Sequence, residues 1–111
     1  VVYYDDLDPC AYDTGVCVLH ADSFGSLWEI CRKSGMQIIA DIHVHPFGAG
    51  QSYADKTNPM VAQRGHLALI LPNFARPPIN LTAIGFFEYR GAHQWRDLGG
   101  RATSRHLQIG A

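Results

Sequence analysis

The run from Gln37 to His45, QIIADIHVH, constrains this chain more than any other stretch. It is rich in β-branched residues and halts at Pro46, which lacks the N–H that a sheet ladder needs, so it predicts a buried strand ending at the second histidine. Successive strand side chains alternate faces. His43 and His45 therefore point the same way at a sheet rim, while Ile42 and Val44 face the opposite layer. Asp41 shares the histidine face, where it either orients an imidazole or sits at a wet edge. Two imidazoles on one face make a metal clip, and a rim is where a loop brings in a third ligand and leaves an opening.

Phe47 to Gln51 (FGAGQ) is a glycine-rich loop, and Ser52-Tyr53-Ala54-Asp55 reads as the first turn of a short helix capped by Ser52 and interrupted at Asn58-Pro59. The three-residue spacing lets Ser52 and Asp55 reach the same side of that turn, which makes Asp55 the best third ligand. Two histidines and one carboxylate leave the fourth position of a tetrahedral Zn²⁺ open, the pattern of catalytic rather than structural zinc, and such a site supplies water activated near neutral pH. An HxH pair alone is common in ordinary strands. The proline, the glycine loop and the Ser-x-x-Asp spacing strengthen it, because they have no evident structural reason to occur together.

The remaining elements follow from periodicity. Asp22 or Ser23 caps a predicted helix in which Phe24, Leu27, Trp28 and Cys31 fall on one face, with Gly35 as its left-handed C-cap. Val1 to Tyr4 and Val16 to Leu19 read as short extended runs separated by aspartate-rich turns. His66 to Leu71 (HLALIL) and Ile84 to Tyr89 (IGFFEY) are two further apolar strands, and a turn at Arg90-Gly91-Ala92 pairs the second with His93 to Arg96 as a hairpin. This order predicts one α/β domain over residues 1–111, with a central mixed sheet flanked by helices.

Composition narrows the function. Of 111 residues, 47% are hydrophobic and 17% charged, which favours a packed core over disorder. A net charge of -1, with nine scattered Lys and Arg, offers no field for nucleic acid. No apolar run is long enough to cross a bilayer and the first residues lack a signal-peptide layout, so a cytoplasmic protein with no membrane partner is expected. Three cysteines, Cys10, Cys17 and Cys31, without a CxxC pair fit buried thiols in a reducing compartment. His20, His66, His93 and His106 read as structural. Trp95, Phe86 and Phe87 read as core or hairpin packing, although an exposed aromatic beside the cleft would suit an extended substrate tail lying along a sheet edge.

The run His43-Val44-His45-Pro46 followed by Ser52-Tyr53-Ala54-Asp55 resembles the JAMM motif of the MPN-type zinc metalloproteases, deubiquitinases and their prokaryotic relatives. The segments Pro59-Met60-Val61 and Gly65-His66-Leu67-Ala68-Leu69-Ile70 are similar to bacterial members, and the likeness spans most of Gly35 to Trp95. The resemblance implies a cytidine deaminase-like α/β fold, zinc held by His43, His45 and Asp55, and oxyanion stabilisation by Ser52. It also implies hydrolysis of a peptide or isopeptide bond at the C-terminus of a ubiquitin-like protein. Two departures stand out. The stretch from His45 to Ser52 is one residue shorter than the family's, and the family's general-base Glu, upstream of the histidines, has no counterpart. Glu29 reads as a solvated helix residue and Glu88 matches no motif position. The expectation is that the chain starts partway into its domain, with the Glu on an upstream strand or another chain.

Other HxH families lack their companions here. A zinc deaminase needs HxE and PCxxC, a cupin needs Glu where Gly48 and Ala49 stand, and an amidohydrolase barrel needs far more chain. The competing expectation is an MPN-type scaffold that binds metal or a protein partner without turnover.

Overall fold

The computed structural model describes residues 1–9, 21–108 and 110. The chain divides into two compact units, 1–37 and 38–111. The predicted run Val16 to Leu19, together with Cys10, Cys17 and His20, lies outside the described residues.

In the first unit the expected opening strand is not found. Tyr4–Leu7 form a single helical turn, α1, with Asp5 and Asp6 in it. Acidic residues suit the first turn of a helix, and Val1, Val2 and Tyr3 ahead of it are exposed. The second helix, α2 (Ala21–Ser34), matches its prediction and ends before Gly35, whose φ of +67° is the left-handed conformation expected there. Asp22 and Ser23 lie inside α2, so neither is its cap. Of the expected apolar face Leu27 is buried, Trp28 is exposed and Cys31 is half-buried.

The second unit is built on a four-stranded mixed sheet, in the order β1 (Ala40–Val44), β2 (Leu67–Leu71), β3 (Gly85–Gly91) and β4 (Gln94–Asp97). β1 and β2 are parallel, and the other pairs are antiparallel. The hairpin between β3 and β4 turns at Gly91, Ala92 and His93, all at positive φ, as its glycine-bearing turn requires. Short helices follow at Tyr53–Thr57 (α3) and Thr103–His106 (α4).

Register fixes the two faces. Asp41 and His43 stand opposite Ala68 and Ile70, which stand opposite Phe87 and Gly85, so these residues share one face. The other face carries Leu69 and Phe86, which with Ile84 and Leu98 form the buried core; Ala40, Leu67, Leu71, Leu81 and Leu107 pack around it. β1 is not the buried strand that its β-branched run predicts. Ile42 and Val44 are 55% and 44% exposed. The strand lies at the sheet's edge, where a run of apolar residues carries no information about whether its outer face is covered.

Candidate metal centre

His43 and His45 reach one face because β1 alternates, and His45 keeps its alignment one residue beyond the strand by donating its N–H to Leu71 O at 3.0 Å. Asp55 comes from α3. His43 Nε2 lies 3.2 Å from His45 Nε2 and 3.4 Å from Asp55 Oδ1, and His45 Nε2 lies 3.3 Å from Asp55 Oδ2. These three residues form the group able to hold a metal ion among the described residues. A tetrahedral ion with nitrogen and oxygen ligands at about 2.0–2.1 Å has ligand-to-ligand edges of roughly 3.3–3.4 Å; the two imidazole nitrogens stand close to that separation, and each meets a different oxygen of Asp55 at a similar distance. All three side chains are about one-fifth exposed, which leaves the group open to solvent on one side.

The helix carrying Asp55 is held at both ends. At its start Asp55 N–H donates to Ser52 Oγ at 3.1 Å and Ser52 N–H donates to Asp55 Oδ2 at 2.8 Å, a reciprocal capping box. Ser52 is thus the cap expected from the sequence, and the Ser-x-x-Asp spacing has a local structural reason of its own. The same bonds orient the carboxylate, so the structural and ligand roles of Asp55 coincide. Ser52 is exposed, and with its Oγ accepting from Asp55 its hydroxyl proton remains free to donate. At the other end of α3 the indole N–H of Trp95 donates to Lys56 O at 3.0 Å.

Two contacts seat the loop between His45 and Ser52. Phe74 N–H donates to His45 O at 2.9 Å and Asn73 N–H to Phe47 O at 3.0 Å, from a turn in which Asn73, Phe74 and Ala75 all have positive φ. Gly85 of β3 lies directly beneath the loop, where a Cβ would collide with Ala49 O. The loop so seated leads into α3 and delivers Asp55 to the histidines. Phe47, Tyr53 and Phe74 are exposed on these same segments.

Behind His43 sits a second layer. Asp41 Oδ2 is 3.6 Å from His43 Nδ1, and Asp41 Oδ1 is 2.7 Å from His66 Nε2. Burial works to raise the Asp41 carboxyl, but its interactions with His43 and His66 outweigh this and hold it below the ordinary value. His43 is raised, chiefly by Asp41, against the opposing effect of burial and with help from Asp55.

Glu88 belongs to the face opposite the histidines and pairs with Arg90 at 3.0 Å. Glu29 accepts from Arg32 Nε at 3.0 Å on α2, the solvated pairing expected of it. Of the histidines read as structural, His93 lies in the hairpin turn with its N–H on Tyr89 Oη, and His106 packs edge-on against Phe86. Sequence reading missed three contacts behind the group: His66 on Asp41, Gly85 under Ala49 and Trp95 on Lys56. Only His66 carried any signal, as a histidine opening an apolar strand.

No known family profile matches the chain. Over 96 residues, 86% of its length, the chain is 29% identical to a protein described as "Probable metalloprotease y4jG" from Sinorhizobium fredii (strain NBRC 101917 / NGR234). The match covers 59% of that protein, so the chain spans less than two thirds of its relative. No helix among the described residues is long and apolar enough to cross a membrane.

Proposed function

We propose that this chain carries the metal-binding part of a cytoplasmic JAMM-type zinc peptidase, in an MPN-type domain, that cleaves the bond at the C-terminus of a ubiquitin-like protein. The observation that carries the reading is the convergence of His43, His45 and Asp55, each partly exposed, with both imidazole nitrogens within 3.4 Å of the Asp55 carboxylate. The similarity to a probable metalloprotease supports a metal-dependent peptidase. Two imidazole nitrogens with one carboxylate are a donor set that suits zinc.

When bound, the ion supplies Lewis acidity for a scissile carbonyl and activation of water. The chain's residues do the rest. The Asp41 carboxylate, 3.6 Å from His43 Nδ1, favours the ring proton on that nitrogen, which leaves Nε2 for the ion. The capping box fixes the carboxylate of Asp55, and the free hydroxyl proton of Ser52 is available to an oxyanion. A protein substrate is supported by the exposed aromatics Phe47, Tyr53 and Phe74 around the opening. An extended tail would also find a strand edge that no other strand pairs among the described residues. The bonds that bracket the ladder, Leu67 N–H to Ile39 O and His45 N–H to Leu71 O, direct the odd-numbered residues of β1 toward β2, so the backbone groups of Ala40, Ile42 and Val44 point outward.

Turnover in this reading needs a general-base carboxylate that neither Glu29 nor Glu88 supplies, and residues beyond these 111, upstream or on a second chain, would provide it. That requirement also favours a second reading, a scaffold that binds metal or a protein partner without cutting. Metal analysis and hydrolysis of a ubiquitin-like C-terminal fusion by the full-length protein separate them. Asp55→Ala should lose stoichiometric zinc, whereas Ser52→Ala should keep zinc and lose roughly 10²–10³ in rate. Full zinc occupancy without turnover in the full-length wild type would leave the scaffold.

A further inference from the structure

We propose that His66 is a positioning residue for the metal centre, holding Asp41 so that Asp41 in turn fixes the tautomer and orientation of His43. This rests on the reading that His43, His45 and Asp55 hold a metal. His66 stands one residue before β2 and Asp41 two residues before His43 on β1, so the parallel pairing of the two strands brings all three side chains to the rim of one face. The bond from His66 Nε2 to Asp41 Oδ1 is 2.7 Å, the short end of the charge-assisted range. It is nearly sealed from water: the His66 side chain is 1% exposed and that of Asp41 10%.

The protonation pattern follows from the partners. Carboxylate oxygen only accepts, so His66 Nε2 carries the proton. His66 Nδ1 is buried with no hydrogen-bond partner among the described residues, which fits a bare ring nitrogen better than an N–H. A residue that served only to fill this space would be apolar and would leave no nitrogen orphaned. What the histidine adds is its single satisfied bond. That bond ties down one oxygen of Asp41 and leaves Oδ2, at ion-pair distance 3.6 Å from His43 Nδ1, as the carboxylate oxygen that draws the remaining proton of that ring to Nδ1. Ligating imidazoles are commonly oriented through their second nitrogen in this way. His45 has no such support: no partner stands at its Nδ1 among the described residues, while its Nε2 faces His43 and Asp55. The two ligands are thus unequal, and His45 serves as an internal control.

The test uses the whole chain and three variants. His66→Phe keeps ring volume and removes the donor, His66→Gln restores an amide donor at similar reach, and Asp41→Asn breaks the link at its centre. Zinc affinity is read by competition with a chromophoric chelator, and ring tautomers by ¹⁵N-edited spectra of the imidazoles. His66→Phe should weaken zinc by about 10–100-fold and mix the tautomers of His43 while leaving His45 unchanged. His66→Gln should recover most of both. Asp41→Asn should give the same signature, and it keeps the test decisive if His66→Phe does not fold. Wild-type affinity and an unaltered His43 in Asp41→Asn would overturn the proposal, as would equal losses in His66→Phe and His66→Gln, which mark a packing role. Failure of the wild type to bind zinc stoichiometrically would instead overturn the metal reading beneath it.

Discussion

The two faces of the sheet are made from alternate residues of the same strands, yet they are held by different forces. On one face Leu69, Phe86, Ile84 and Leu98 are buried with no polar partner in the cluster. Its stability comes from apolar area removed from water. The other face brings together Asp41, His43, His45, Asp55 and His66, whose separations are set by hydrogen bonds and charge. One strand position separates the two regimes, since Ile42 lies between Asp41 and His43. A fold with its larger apolar cluster on one face, and with Ala68 and Ile70 buried beside the histidines on the other, can carry a polar, partly exposed group without unfolding, provided a loop and a helix are fastened there.

The contrast can be broken from either side. The largest effect is expected from His45→Ala, which should abolish stoichiometric zinc by metal analysis while barely moving the melting temperature of the metal-free chain. Phe86→Ala should do the reverse, costing about 3–5 kcal/mol in denaturant unfolding with the zinc content of the folded fraction intact. Gly85→Ala is the change that should reach both faces. Its methyl meets Ala49 O, so stability should fall by about 1–3 kcal/mol and zinc should weaken as the loop and Asp55 are displaced. A destabilised Gly85→Ala chain with wild-type zinc affinity would show that the loop does not govern the ligand.

A smaller effect separates the faces by pH. His43 is raised above its ordinary 6.5, so its contribution to the stability of the metal-free chain is fully present below that value and is lost as pH rises through the higher folded value. Asp41 is depressed below 3.8, and its contribution is present above that value and lost as pH falls through the lower folded one. Zinc must displace the proton of His43. Its affinity should therefore rise over the same interval in which the metal-free chain loses stability, with a midpoint above 6.5 in a chelator-competition titration. Trp95→Phe should have the least effect, removing one bond to Lys56 O and about 1 kcal/mol of stability, with a slight weakening of zinc.

Much of this was legible in the sequence where the signal is local. The helix ending at Gly35, the short turn begun by Ser52 and the glycine-bearing hairpin each depend on residues within one or two turns of one another. The three converging residues were legible for the same reason, because strand alternation and helical spacing aim them. The exposed face of β1 was not, since Ile42 and Val44 look alike whether covered or bare. The opening turn was read as a strand because Val1 to Tyr4 are β-formers with nothing to pair with. Gly85 under Ala49, Trp95 on Lys56 and His66 on Asp41 join residues distant in the chain, and no spacing rule announces them.

The central claim is that His43, His45 and Asp55 bind one ion through two imidazoles and a carboxylate. X-ray absorption at the zinc edge of the loaded chain tests it most directly. The account predicts four nitrogen or oxygen neighbours at about 2.0–2.1 Å, with the outer-shell scattering of two imidazoles. A sulfur neighbour at about 2.3 Å, the scattering of fewer than two imidazoles, or stoichiometric zinc retained in His43→Ala would contradict it.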